Sequence, residues 1–128
     1  MRFDEAGIDV LGIVTNAVRT HELETAKVFV SPALGGESFG MVLVESFATA
    51  TPVVASNIPG FADVAVPDAA TLVPPNDVGA LVEAVVAILA DEDRRVAMGS
   101  AARALAIERY AWPDIAARLE AIYDRVAA

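Results

Sequence analysis

The stretch Lys27-Val28-Phe29-Val30-Ser31-Pro32-Ala33-Leu34-Gly35-Gly36-Glu37-Ser38-Phe39-Gly40-Met41-Val42-Leu43-Val44-Glu45 decides the fold. Lys27 to Ser31 is β-branched and aromatic and stops at Pro32, which is a strand signal. Gly35 and Gly36 form a loop, and Phe39 or Gly40 to Thr49 reads as a helix. Upstream, Val10 to Val14 is a short apolar segment interrupted by Gly12, read as a strand running into a loop. Thr15 or Asn16 then caps a helix to about Thr25, because a side-chain oxygen there accepts from the free first-turn amides. Downstream, Pro52 to Ala55 is a second apolar strand and Thr71 to Val73 a third, stopped by Pro74-Pro75.

The remainder reads as helical. Asn76 or Asp77 caps a helix with apolar residues at Val78, Leu81, Val82, Val85, Ile88 and Leu89. Asp91 to about Glu108 forms another, starting with favourable first-turn acid and carrying exposed Arg94 and Arg95. Pro113 suits the first turn of a last helix, which is expected to bury Ile115, Leu119, Ile122 and Val126 on one stripe. Tyr110 and Trp112 are expected to anchor that helix by packing, and His21 to be a solvated surface residue. Short apolar strands alternating with helices predict an α/β layered fold with a parallel sheet. No repeat, linker or low-complexity tract divides the 128 residues, so residues 1–128 read as a single domain.

Composition narrows the function classes. With 55% hydrophobic residues the chain is not intrinsically disordered. A net charge of −9 repels phosphate backbones and anionic lipid headgroups, which argues against nucleic-acid and membrane partners. The absence of cysteine excludes disulfides and thiolate metal sites, and the single histidine leaves no second candidate base for a triad. The longest uncharged run, Ser46 to Ala62, is broken by Pro52 and Pro59, and no segment reaches the ~18 to 20 apolar residues of a membrane helix. Acid at Asp4 and Glu5 stands where a signal peptide would be apolar, so a cytoplasmic location is expected.

In parallel sheets ligands sit beyond the carboxyl ends of strands, and Ser31 to Gly40 occupies such a place. Its glycines let backbone amides approach a ligand, and the helix start presents free N–H groups, an arrangement that binds phosphate without a cation. That matters because no Lys, Arg or His lies between Lys27 and Arg94, while Glu37, Glu45 and Asp63 do. The alternative is a plain tight turn in which Glu37 only complements the helix dipole. Glu45 interrupts the otherwise apolar Met41 to Ala48. A carboxylate buried there needs donors, and ribose hydroxyls are suitable ones. Alternatively it reaches solvent at the helix edge.

Glu37-Ser38-Phe39-Gly40-Met41-Val42-Leu43-Val44-Glu45 resembles the E-x7-E motif of the retaining GT-B glycosyltransferases of family 4. Val28 to Pro32, Thr51 to Ser56, Leu72 to Asp77 and Tyr110-Ala111-Trp112 extend the resemblance over nearly the whole chain from about Val10. Gly35 to Gly40 most resembles the phosphatidylinositol mannosyltransferases of actinobacteria, which use GDP-mannose. The resemblance implies a Rossmann-like parallel sheet with flanking helices, the later part of the donor-binding half of a GT-B fold. It implies that Glu37 contacts hydroxyls of the donor hexose, that the loop from Gly36 through Phe39, Gly40 and Met41 contacts sugar and diphosphate, and that Glu45 binds ribose. Leu11-Gly12 resembles the family's F-L-G, which places Gly12 near the base. The implied substrate is a GDP- or UDP-linked sugar, with no metal and no other cofactor. The family's paired Arg and Lys and its N-terminal acceptor domain, the implied partner, have no counterpart in the 36 residues before Glu37.

Departures fall at three loops. Ala50 stands where the family usually has glycine before Thr-Pro, Pro59-Gly60-Phe61-Ala62-Asp63 replaces Gly-Gly-x-x-Glu, and Ala70 or Thr71 replaces a glycine before Leu-Val-Pro. A fragment that serves as a folding or interaction scaffold without tight donor binding is the rival reading. A dinucleotide oxidoreductase is excluded because no G-x-G-x-x-G follows a first strand.

Overall fold

A computed structural model describes residues 7–127. Thr15 caps helix α1 (Asn16–Thr25), its hydroxyl accepting from the Val18 amide at 3.3 Å. Strand β1 (Phe29–Ser31) leads through the glycine loop into helix α2 (Met41–Ala48). Strand β2 (Val53–Ser56), the short helix α3 (Pro59–Ala62) and strand β3 (Ala70–Val73) follow. Asp77 caps α4 (Val78–Ala90) and Asp91 caps α5 (Glu92–Tyr110), each accepting from an amide three residues on at 2.9 Å. The chain closes on α6 (Trp112–Ala127).

The strands form one parallel sheet in the order β1-β2-β3, pairing Phe29 with Val53 and Val53 with Ala70. β2 is central and buried throughout, and its alternation sorts the core into two layers. Val53 and Ala55 point into a cluster with Leu43 and Phe47 of α2, Phe61 of α3, and Ala102, Leu105 and Ala106 of α5. Val54 points the other way, toward Val73, Ile88 of α4 and Met98 of α5. Helices therefore cover both faces.

Four expectations are corrected. Val10 to Val14 is not a strand: Leu11 and Ile13 are exposed, Ile13 completely, and Gly12 takes φ +66°. An apolar run becomes a strand only where a neighbouring strand takes up its backbone groups, and among the described residues β1 pairs only with β2. Helix α6 buries no residue; Ile115 is half-buried, whereas Leu119, Ile122 and Val126 are exposed. Trp112 does not anchor it either, being 74% exposed. Arg95 is not a free surface cation, since its side chain is only 16% exposed and pairs with Glu92 at 3.4 Å. Helix α3 is an addition, started by Pro59 at its favoured first-turn position.

Ala50 explains why glycine is usual there. It takes φ +59° to turn α2 into β2, a left-handed conformation that costs a residue with a Cβ about 1 kcal/mol. Ala50→Gly is expected to raise thermal stability, by roughly 0.5 kcal/mol after glycine's larger unfolded-state entropy is deducted. A lower melting temperature in a thermal scan would contradict that account.

Candidate functional site

The loop after β1 closes on itself through Glu37. Its Oε1 accepts from the Gly40 amide at 3.0 Å and from the Phe39 amide at 3.4 Å. Of the two readings of this loop, free amides or a turn in which Glu37 complements the helix start, the geometry is that of the second: the amides cradle a carboxylate from their own loop. Gly40 is the N-cap of α2, at φ +79° and with no side chain to cap the helix, so Glu37 supplies the negative group there. The Gly40 amide first, then that of Phe39, holds the Glu37 carboxyl below the usual glutamate range; partial burial opposes this and the Ser38 amide adds to it.

A folded-state value depressed in this way has a fixed consequence. The capping contribution is complete above the unfolded value of about 4.3. It is lost as pH falls through the lower folded value. A side-chain NMR titration of Glu37 is expected to give a midpoint below that of an exposed glutamate. An ordinary midpoint would mean that the two amide bonds do not persist in solution.

Gly60 holds this loop in place from α3. A Cβ at position 60 would lie 2.4 Å from the Glu37 carbonyl oxygen and 3.0 Å from the Phe39 nitrogen. The two backbones touch, and only glycine permits it. This constraint was missed in the sequence, although Pro59-Gly60 stood out there as a departure.

Glu45 lies one turn further along α2. Its neighbours Val44 and Ser46 are buried, whereas its own side chain is 33% exposed. Arg19, reaching over from α1, donates from Nη2 to Glu45 Oε1 at 2.9 Å. The site therefore does contain a cation. It comes from outside the cation-free stretch, which is why a linear scan of that stretch did not find it.

Phe39, Met41 and Glu45 line one groove of about 410 Å³, with Val44, Ala48, Tyr110, Trp112 and Ile115. Phe39 meets Tyr110 edge to face, ring centroids 5.9 Å apart. Gly36 (φ +76°) and Gly12 stay exposed outside this groove. A second crevice of about 120 Å³ lies beyond the carboxyl ends of all three strands, against Pro32, Ser56, Pro74 and Asp77, and contains neither glutamate. His21 is exposed, as expected. Among the described residues, no group of three or more His, Asp or Glu is placed to hold a metal, and no helix is long and apolar enough to cross a membrane.

Comparison with known proteins defines the class. Residues 5–105 match the model of the glycosyl transferases group 1. The chain is 40% identical over 124 residues to a phosphatidyl-myo-inositol mannosyltransferase of Mycobacterium leprae, covering 94% of this chain and 32% of that protein. It is 37% identical over 109 residues to an MMP alpha-(1->4)-mannosyltransferase of Mycolicibacterium hassiacum, covering 83% and 26%. Among solved structures, sucrose-phosphate synthase of Thermosynechococcus elongatus superposes with a TM-score of 0.84 at 31% identity, covering 91% of this chain and 29% of that one. The chain belongs to the group 1 glycosyl transferases, and its fold is similar to part of the structures of GT-B enzymes. It spans about a third of the length of the mannosyltransferase relatives from Mycobacterium and Mycolicibacterium smegmatis that it matches.

Proposed function

We propose that residues 1–128 are the donor-binding part of a retaining hexosyltransferase, taking a GDP- or UDP-linked sugar. The observation that carries this is the pair of glutamates on one helix and its entry loop, one at amides that hold a negative group and one beside a cation. In this reading the diphosphate takes the Phe39 and Gly40 amides over from the Glu37 carboxylate, with the Met41 amide beside them, and Glu45 accepts from the ribose hydroxyls. The Glu37 carboxylate accepts from hydroxyls of the hexose. Fixed amide dipoles beside the departing phosphate stabilise the charge that develops as the anomeric C–O bond breaks. The new bond forms to an acceptor oxygen whose proton passes to the departing phosphate. The acceptor site belongs to a further domain of the same enzyme. Two relatives whose names specify mannosyl transfer support mannose as the hexose, and therefore GDP-mannose as donor.

The test is an NMR titration of the chain with GDP, UDP and their sugar forms. Binding is expected nearer millimolar than micromolar, because a chain of net charge −9 repels a diphosphate and offers it few cations. Glu45→Gln is expected to weaken nucleotide binding about five- to tenfold, since a neutral amide oxygen accepts less strongly than a carboxylate. Replacing Glu37 should weaken the sugar nucleotide alone. Shifts absent from residues 35–45, or identical in the wild type and in Glu45→Gln, would leave the scaffold reading standing.

A further inference from the structure

We propose that Arg19 is a positioning residue for Glu45, fixing the carboxylate in the orientation that accepts from ribose; this rests on the reading of Glu45 given above. The inference starts from α1. That helix buries no residue, so core packing does not explain its placement. It is tied to the molecule by polar contacts. The Thr51 hydroxyl, almost fully buried, donates to the Leu23 carbonyl at 2.6 Å and fastens the last turn of α1 to the start of β2. At the first turn, Arg19 reaches Glu45 at 2.9 Å.

An exposed pair of this kind contributes little to folding. Its chemistry at this place is more telling. Glu45 is a carboxylate on an otherwise apolar helix whose start is proposed to hold a diphosphate, with a second carboxylate, Glu37, already at that start. Two negative side chains and a diphosphate repel one another, and no Lys, Arg or His lies between Lys27 and Arg94 to offset this. Arg19 neutralises one of the two.

It does so without closing the acceptor. A carboxylate has two oxygens with about four acceptor positions. Arg19 engages Oε1, leaving Oε2 for a hydroxyl. Glu45 also enters binding with its side chain already ordered, so the ligand does not have to freeze it. Both effects run through Glu45. Neither needs the guanidinium to touch the nucleotide.

The experiment compares dissociation constants of the 128-residue chain for GDP and for 2′,3′-dideoxy-GDP, which lacks both ribose hydroxyls. Arg19→Gln is expected to weaken GDP about three- to tenfold while leaving the melting temperature nearly unchanged, and Arg19→Lys to recover part of the loss. In a Glu45→Gln background the same Arg19→Gln change should add nothing. Arg19→Gln should weaken dideoxy-GDP less than GDP, because with the ribose hydroxyls gone only the charge that Arg19 offsets on Glu45 remains to be felt. A loss that persists in the Glu45→Gln background, or that is as large with dideoxy-GDP as with GDP, would mean direct contact with the diphosphate and would overturn the proposal. Weakening by Glu45→Gln with none by Arg19→Gln would overturn it too, leaving the ribose reading intact. If Glu45→Gln itself changes nothing, the ribose reading fails first.

Discussion

Gly60→Ala is expected to unseat the loop that carries Glu37 and to destabilise the chain by about 1–3 kcal/mol. The added Cβ would meet the Glu37 carbonyl oxygen at 2.4 Å and the Glu37 carbonyl carbon at 2.8 Å. Those are backbone atoms, so no rotamer change relieves the overlap. Either α3 moves or the loop does. Moving α3 disturbs Phe61, which is almost fully buried in the same cluster as Leu43 and Phe47. Moving the loop withdraws Glu37 from the Gly40 and Phe39 amides. The second route has a specific signature. The Glu37 carboxyl should titrate at the ordinary glutamate position, and the Phe39 and Gly40 amide resonances should shift. Wild-type titration of Glu37 together with unchanged stability would show that the contact is looser than it looks.

The elements with a partner were legible. Lys27 to Ser31 and Pro52 to Ala55 announce themselves by β-branched residues before a turn, and both are strands in the sheet, shifted or trimmed by one or two residues. A cap at Thr15 or Asn16 and another at Asn76 or Asp77 follow from side-chain chemistry alone; Thr15 and Asp77 make the hydrogen bonds, and Asp91, expected only as a helix start, caps its helix too. Periodicity misled where it was read as burial. Apolar spacing states which face a helix would bury, and only a neighbour decides whether it does. On α4 the stripe splits, with Ile88 buried, Leu81 and Val85 half-buried, and Val78, Val82 and Leu89 exposed. At the site, Glu45 stood out because charge is costly in an apolar setting, and Glu37 because it lies in a glycine loop that opens a helix. Arg19 and Gly60 did not. Their importance comes from approaches across 26 and 23 residues of sequence, which no local pattern encodes.

Phe47 and Ile122 both fall on apolar helical stripes, yet their truncations are expected to differ several-fold in cost. Phe47 is completely buried and packs in one cluster with residues of α2, β2, α3 and α5. Phe47→Ala removes most of a large side chain from a site whose walls belong to four separate elements. Such walls collapse only partly, so the expected cost is about 3–5 kcal/mol, transfer and cavity terms together. Against the roughly 5–15 kcal/mol that stabilises a domain of this size, that is a third or more in the commonest case. Because α2 carries Glu45 and starts at Gly40, nucleotide binding should fall with it. Ile122 sits on α6 with 45% of its surface in water. Little apolar area returns to solvent when it is cut back, so Ile122→Ala should stay within about 0.5 kcal/mol. Urea unfolding of the two variants measures both. The slope with denaturant should be the same for each, with the midpoint moving strongly for Phe47→Ala alone. A comparable loss from Ile122→Ala would mean that α6 is packed in solution, against another face of the chain or a second copy of it.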